Sequence, residues 1–480
     1  MPLVLYNSLT RSLEPFEPRT PPVARVYGCG PTIYGRAHIG NFRTFIVYDL
    51  LHRVLAREGW DVRFVVNFTD VDDKTIEGAA RAGQALAEYT RPFGEAFLED
   101  VATLGVRPFH AIPRATEHVA DMVAWIERLE ERGLAYQADD GSVYFRIAAF
   151  PAYGALSGNR ADATEGRSRI ESDEYDKDDV RDFVLWKAAR PADRDVEAVW
   201  DSPWGPGRPG WHLECSVLSV GALGETLDIH LGGEDLLFPH HENEIAQSEG
   251  VTGRTFARFW LHTRHLRVEG QKMSKSLGNT YTVPELRERG HAPAAIRHLL
   301  ISAQYRRELN FTFEGLAGSA RAVDRLVSLH RRLQEETRSD PDGAGAGLIP
   351  LAERALADFD AALGDDLNSS EALAALFVFV RDVNAALDAA GGAAGPEELE
   401  AARAALASMD QVLGLLELAL RKDDSEDGAG LAAWVEEMIR ARAEARAGKD
   451  WARADEIRDA LTARGVVLED TPAGTRWKRG

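Results

Sequence analysis

The sequence predicts an α/β protein: a doubly wound, parallel-sheet (Rossmann-like) domain carrying an insertion, then an α-helical bundle and a small C-terminal α+β unit. Three observations predict it. Residues 20–75 read strand, helix, strand, with Val23–Tyr27 and Val62–Phe68 on either side of the apolar run Thr44–Glu58. That pattern implies a parallel pair joined by a right-handed crossover. Sheet-and-loop character returns at 207–250 after a charged, turn-rich segment, and after Phe313 Ala and Leu recur at the three- and four-residue spacing of packed helices.

In chain order, Gly28, Gly30 and Pro31 break the first strand where Cys29 stands. The second strand ends in Thr69-Asp70-Val71-Asp72-Asp73-Lys74. Residues 77–134 are helical in pattern, and about 100–205 holds the insertion, mixed and charged over 135–205. Leu227–Leu231 reads as a strand ending at Gly232-Gly233-Glu234-Asp235, and Phe238-Pro239 introduces a helix starting near His240. Phe259–Val268 reads as one further strand, followed by Lys272-Met273-Ser274-Lys275-Ser276. Breaks at Ser339–Gly347, Gly391–Pro396 and Lys422–Gly430 delimit helices near 316–338, 350–363, 369–390 and 397–421. The domains expected are 1–315 (its last part, about 254–315, basic), 316–422 and 431–480.

Composition bounds the function. The chain has 480 residues, 45% hydrophobic and 28% charged, as expected of a globular protein of two to four domains. No run of 18 uncharged apolar residues exists, and MPLVLYNSLTRS lacks a basic start with a long apolar core, so no membrane span or secretory signal is expected and a cytoplasmic location is. Two cysteines, Cys29 and Cys215, are too few for a disulfide scaffold. A net charge of −21 argues against a wholly basic nucleic-acid wrapper but leaves room for local patches. Residues 254–311 carry 11 Lys/Arg against 4 Asp/Glu, and Arg440 to the end 10 against 7.

Two constellations carry chemistry. His240 and Glu244 stand four apart on a helix, hence on one face; His241 pairs with Glu244 equally well at i+3, so spacing does not choose between the histidines. With Cys29 and Cys215 they make a thiolate, imidazole and carboxylate set that suits zinc. The second constellation suits a nucleotide. His38-Ile39-Gly40-Asn41 opens a helix, where free N–H groups favour anions, and Gly40 allows close approach by a ligand. Lys272 and Lys275 lie in a Gly/Ser-rich loop without an acid from Gln271 to Asn279, suited to polyphosphate. Asp235, after two glycines, is placed for a ribose hydroxyl. No GxxxxGK[ST] motif occurs.

HIGN at 38–41 with KMSKS about 230 residues later resembles the signature of class I aminoacyl-tRNA synthetases, with Asn41 in place of a second histidine. CGPTIY at 29–34, NFTDVDDK at 67–74, GRPGWHLECS at 207–216, FPHHENEIAQ at 238–247 and GVVLEDTPAGTRW at 465–477 resemble the cysteinyl-tRNA synthetase family within that class. The resemblance covers nearly the whole chain. It implies Zn²⁺ held by Cys29, Cys215, His240 and Glu244, and a substrate-cysteine pocket including Gly30, Thr69, Trp211 and His212. It implies ATP with Mg²⁺ at His38, Gly40, Asn41, Gly233, Asp235, Lys272 and Lys275, with His38, Asn41, Lys272 and Lys275 catalytic. The expected partners are L-cysteine, ATP and tRNA(Cys), with the 254–311 stretch under the acceptor stem, the bundle and last unit at the anticodon, and a monomeric state. Trp451, Trp477 and nearby arginines are stacking and phosphate candidates there, although Trp451 suits a core equally well. Two rivals share parts of this pattern: a ligase joining cysteine to an amino-sugar, which needs no anticodon region, and a non-enzymatic zinc-dependent RNA-binding protein, which needs no HIGN and KMSKS together.

Overall fold

The computed structural model describes residues 3–158, 181–274, 277–335, 345–391, 394–421, 426–448, 450–463, 466–471 and 474–479. Its centre is a four-stranded, all-parallel sheet in the order Ala257–Thr263, Leu227–Gly233, Val23–Gly28, Asp61–Val66. Val26, Phe64, Ile229 and Leu261 are buried, as in a parallel sheet covered on both faces. The chain winds one way from Val23–Gly28 to Asp61–Val66 and the other way from Leu227–Gly233 to Ala257–Thr263. The two middle strands therefore flank a switch point, and open α/β sheets bind ligands outside the carboxyl ends of such strands. Cys29 leaves one of those ends and Glu234 and Asp235 leave the other.

The crossover helix, Ile39–Arg57, opens at His38 as the HIGN string implies and runs through the apolar stretch behind it. Phe42 and Phe45 pack on Phe97, and Phe68 meets the same ring edge-on. Two sequence expectations are corrected. Phe259–Val268 is two strands: Ala257–Thr263 belongs to the main sheet, while Leu266–Val268 pairs with Gln271–Lys272 and Leu309–Phe311 in a three-stranded one. Residues 207–250 are not merely sheet and loop: Trp211–Leu223 is a helix, and Cys215 stands on its second turn. Part of the mixed segment is a four-stranded antiparallel sheet of Ala135–Gln137, Val143–Phe145, Phe183–Ala188 and Gly207–Pro209.

Beyond it come helices Phe313–Glu335, Leu348–Gly364, Ser369–Ala389 and Pro396–Leu413, closed by a short one at Leu416–Leu420. Leu326, Leu329, Phe359, Leu376, Phe379, Leu406 and Met409 form their buried stripe. Residues 1–419 make one compact unit and 420–480 a second, of two helices and a hairpin pairing Val466–Thr471 with Gly474–Arg479. Trp451 is 59% exposed and therefore no core residue of that unit. No helix among the described residues is long and apolar enough to cross a membrane.

Candidate active site and metal-binding cluster

Four elements converge on Cys29. Its own strand end brings the thiol, the second turn of Trp211–Leu223 brings Cys215, and the turn Leu237–His241 with helix Glu242–Thr252 brings His240, His241 and Glu244. The fourth, Leu227–Gly233, brings His230. The donor atoms of Cys29, Cys215, His240 and Glu244 all lie within 4.8 Å of one another, and all four residues are buried. A second set, Cys29, His230, His241 and Glu244, meets the same distance. Glu244 joins the two: one carboxylate oxygen is 2.9 Å from His240 Nε2 and the other 2.6 Å from His230 Nε2. His241 Nε2 approaches Cys29 Sγ at 3.3 Å.

The electrostatics suit a cation. The hydrogen bond from Cys29 draws the Cys215 thiol down to about 6 against its burial, while burial and that neighbour push Cys29 up. Burial disfavours a charged His240, but Glu244 and Cys215 outweigh it and raise the ring to about 10. Burial likewise opposes a charged Glu244, yet His230 and His240 hold the carboxylate well below its usual range. Two thiols and a carboxylate enclosed together repel once ionised, and an ion in their midst relieves that cost.

Around the cluster, the Trp211 ring stacks on His240 at 4.3 Å and is 36% exposed. His212 Nδ1 lies 2.7 Å from His240 Nδ1. Asn67 ties the floor together: its Oδ1 accepts from Gly30 N at 2.8 Å, its Nδ2 donates to Thr69 Oγ1 at 3.2 Å, and Cys215 Sγ lies 3.7 Å from Oδ1. Gly30 admits no side chain, since a Cβ would fall 1.6 Å from the Asn67 carbonyl oxygen.

The other constellation lies at the start of helix Ile39–Arg57. His38 is its N-cap and forms a reciprocal capping box with Asn41: His38 Nδ1 accepts from Asn41 N at 3.3 Å and Asn41 Oδ1 accepts from His38 N at 3.1 Å. With Nδ1 an acceptor, a neutral His38 carries its proton on Nε2. A Cβ on Gly40 would meet the His38 ring at 3.1 Å and Met273 Cε at 3.3 Å, so Met273 of the lysine loop lies against this helix start. Lys272 is exposed on its short strand, and its carbonyl accepts from Asn279 Nδ2 at 3.1 Å. Lys275 and Ser276 lie outside the described residues. Asp235 is exposed beyond Gly233, while Glu234 accepts from His265 N at 2.9 Å. The basic stretch is less open than its charges suggest: Arg254, Arg258, Arg264, Arg267 and Arg306 pair with Glu225, Asp228, Glu234, Glu308 and Asp366, and Arg297 is buried on Asp49.

A family model described as the tRNA synthetases class I (C) catalytic domain matches residues 15–321, a DALR domain model matches 358–417, and a cysteinyl-tRNA ligase anticodon binding domain model matches 428–477. The cysteine–tRNA ligase of Solibacter usitatus is 48% identical over 479 residues, covering 100% of both chains. The chain belongs to the cysteine–tRNA ligase family. The family's ligase from Koribacter versatilis is 46% identical over 502 residues, again covering 100% of each. A solved methionyl-tRNA synthetase of Mycobacterium tuberculosis in complex with methionyl-adenylate has a TM-score of 0.61 over 85% of this chain and 93% of that one. At 16% identity that likeness speaks for the class I fold alone.

Sequence reasoning passed over several residues of this cysteine–tRNA ligase family member. Asn67 opens a motif it noticed but received no role. His230 left a signal, a lone histidine in an apolar strand, and His262 left a similar one. Tyr48 left none: its hydroxyl donates to the carbonyls of both Cys29 and Leu231 at 3.1 and 3.0 Å, which only the packing reveals.

Proposed function

We propose that the chain activates L-cysteine with ATP, giving cysteinyl-adenylate and pyrophosphate, and then transfers cysteine to the 3′-terminal adenosine of tRNA(Cys). The observation that carries this reading is the buried Cys29, Cys215, His240 and Glu244 set beside a half-exposed Trp211, at the same end of the sheet as the His38–Asn41 helix start. Of the two donor sets, the His240 set is the better ion site, because a metal that also takes a substrate needs an open position. His240 stacks under the partly exposed Trp211, whereas His230 and His241 pack on the buried Trp260. Zinc is the ion these donors favour, and when bound it lowers a thiol's pKa and prefers sulfur to a hydroxyl oxygen. Selection by sulfur explains how serine is refused where an apolar pocket would separate near-isosteres by only about 10²-fold.

The chain's own residues do the remaining work. Thr69, Trp211 and His212 wall the amino acid. His38 Nε2 and the helix N-terminus meet the phosphates, which arrive with Mg²⁺, and Lys272 and Lys275 neutralise the β- and γ-phosphates. Gly233 and Asp235 hold the adenosine. Translation puts the reaction in the cytoplasm.

The test is transfer of labelled cysteine to tRNA, run beside transfer to an amino-sugar. Charged tRNA supports the proposal; transfer to the sugar, or none at all, overturns it. Cys215→Ser is expected to lose its bound zinc by elemental analysis and to cut cysteine-dependent ATP–pyrophosphate exchange by roughly 100-fold or more. Full exchange in a zinc-free variant would remove the metal from the reading.

A further inference from the structure

Arg43 stands two residues past Asn41 and is 1% exposed. Its guanidinium bonds only main-chain carbonyls among the described residues. Nε donates to Arg264 O at 3.3 Å, one terminal nitrogen to Leu300 O at 2.8 Å, and the other to Arg307 O at 2.9 Å, with Gln304 O and Ala303 O at 3.3 and 3.4 Å. No carboxylate among the described residues pairs with it, and burial alone draws its pKa down to about 10. A buried charge without a counter-charge is costly, and an apolar side chain would fill the space more cheaply.

What the charge accomplishes is geometric. Arg264 joins strand Ala257–Thr263 to Leu266–Val268, and residues 302–308 join helix Pro293–Ile301, whose last turn holds Leu300, to Leu309–Phe311. Leu266–Val268 and Leu309–Phe311 pair with each other, and the former also pairs with Gln271–Lys272. Arg43 thus grips the connections leading into both strands on which the Lys272 strand is built. Two further bonds secure the same unit: Gly270 N donates to Asn310 Oδ1 at 2.8 Å, and Ile39 N to Tyr281 O at 2.9 Å.

We propose that Arg43 is a positioning residue for adenylate formation, fixing the small sheet that carries Lys272 in register with His38 and Asn41. The inference rests on the reading that the phosphates of ATP lie between those residues. A planar fork with five donors reaches carbonyls on both connections at once; a lysine, with three donors on one tetrahedral nitrogen, does not.

The test is ATP–pyrophosphate exchange and single-turnover transfer from preformed cysteinyl-adenylate, in full-length Arg43→Lys, Arg43→Met and Asn310→Ala. Asn310 is exposed, so its replacement spares the fold while loosening the same sheet. Exchange is expected to fall about 10- to 100-fold in the Arg43 variants and about 3- to 10-fold in Asn310→Ala, in kcat or in KM for ATP. Bound zinc, KM for cysteine and transfer from preformed adenylate should stay within about twofold. Wild-type exchange in Arg43→Lys and Asn310→Ala overturns the proposal. So does a parallel loss of cysteine binding, transfer and thermal stability, which would mark Arg43 as structural. Lys272→Ala runs alongside: undiminished exchange there would instead show that the phosphates do not lie at Lys272, whatever Arg43 does.

Discussion

Asn41 does two jobs that one substitution separates. Its Oδ1 accepts from the His38 N–H and so completes the capping box, and its place in the first helical turn puts it where the nucleotide's negative charge is proposed to lie. Asn41→Asp keeps the acceptor and adds a charge that the helix dipole favours, so the unfolding free energy should hold or rise by about 0.3–1 kcal/mol. The same charge repels phosphate, so KM for ATP should climb several-fold while KM for cysteine does not. A variant that is both stable and unchanged towards ATP would show that the phosphates do not lie at this helix start. Much of this was legible in sequence, because HIGN, KMSKS and the quoted ligand motifs are local strings. What was not legible is which side chains meet across some 200 residues. His240 and His241 are neighbours in sequence, yet one lies on Glu244 at 2.9 Å and the other against Cys29 at 3.3 Å, a division set by the backbone turn at 237–241.

The elements hidden in the sequence have separate physical causes. Helix Trp211–Leu223 buries Leu213 through Ser219 without interruption, so it shows no stripe at helical spacing, and the glycines and proline before it read as loop. The strand expected over Phe259–Val268 has no glycine or proline where it divides; the chain turns there because Arg264 N bonds Tyr305 O and Arg264 O is held by Arg43, which are tertiary facts. The packing of helix on helix makes its own predictions. On helix Ile39–Arg57, Asp49 is flanked by Arg53 and Arg297, both buried, and accepts from Arg107 N at 2.8 Å. Asp49→Asn strands two buried cations and should cost about 3–5 kcal/mol in urea unfolding; a loss under about 1 kcal/mol would mean the surrounding carbonyls suffice. His298 bridges helices, with Nδ1 2.9 Å from Ser319 Oγ and its ring edge-on to Phe377. Burial, then Arg325, lower its pKa to about 4. Its unfolded value is near 6.5, so between those two values the unfolded chain binds the extra proton and stability falls as pH falls, by at most about 1.4 kcal/mol per pH unit. His298→Gln should flatten that part of the profile; an unaltered slope from pH 6.5 to 4 would show that the ring titrates normally in the fold.

At the scale of the molecule, every residue proposed for adenylate formation lies in the unit of residues 1–419, while the match to an anticodon binding domain lies in the unit of 420–480. Each unit has a core of its own: the large one runs through sheet and bundle together, and the small one gathers Val435, Ile457 and Leu461. Chemistry and recognition of the nucleic acid should therefore come apart when the chain is cut between them. A chain ending at Ala419 keeps the sheet, the metal-binding cluster, Arg43 and the bundle, so its cysteine-dependent ATP–pyrophosphate exchange should stay within about threefold of the full chain. Its kcat/KM for charging tRNA should fall by roughly 100-fold, about 2.7 kcal/mol of lost binding. The cut also removes the arginines and lysines from Arg440 onward, the candidates for phosphate contact, so the salt dependence of charging should become shallower as well. Loss of exchange in step with charging would mean that the small unit supports the catalytic one in folding rather than in recognition. Charging at the full rate would mean that the bundle and the remainder of 1–419 identify the tRNA without the small unit.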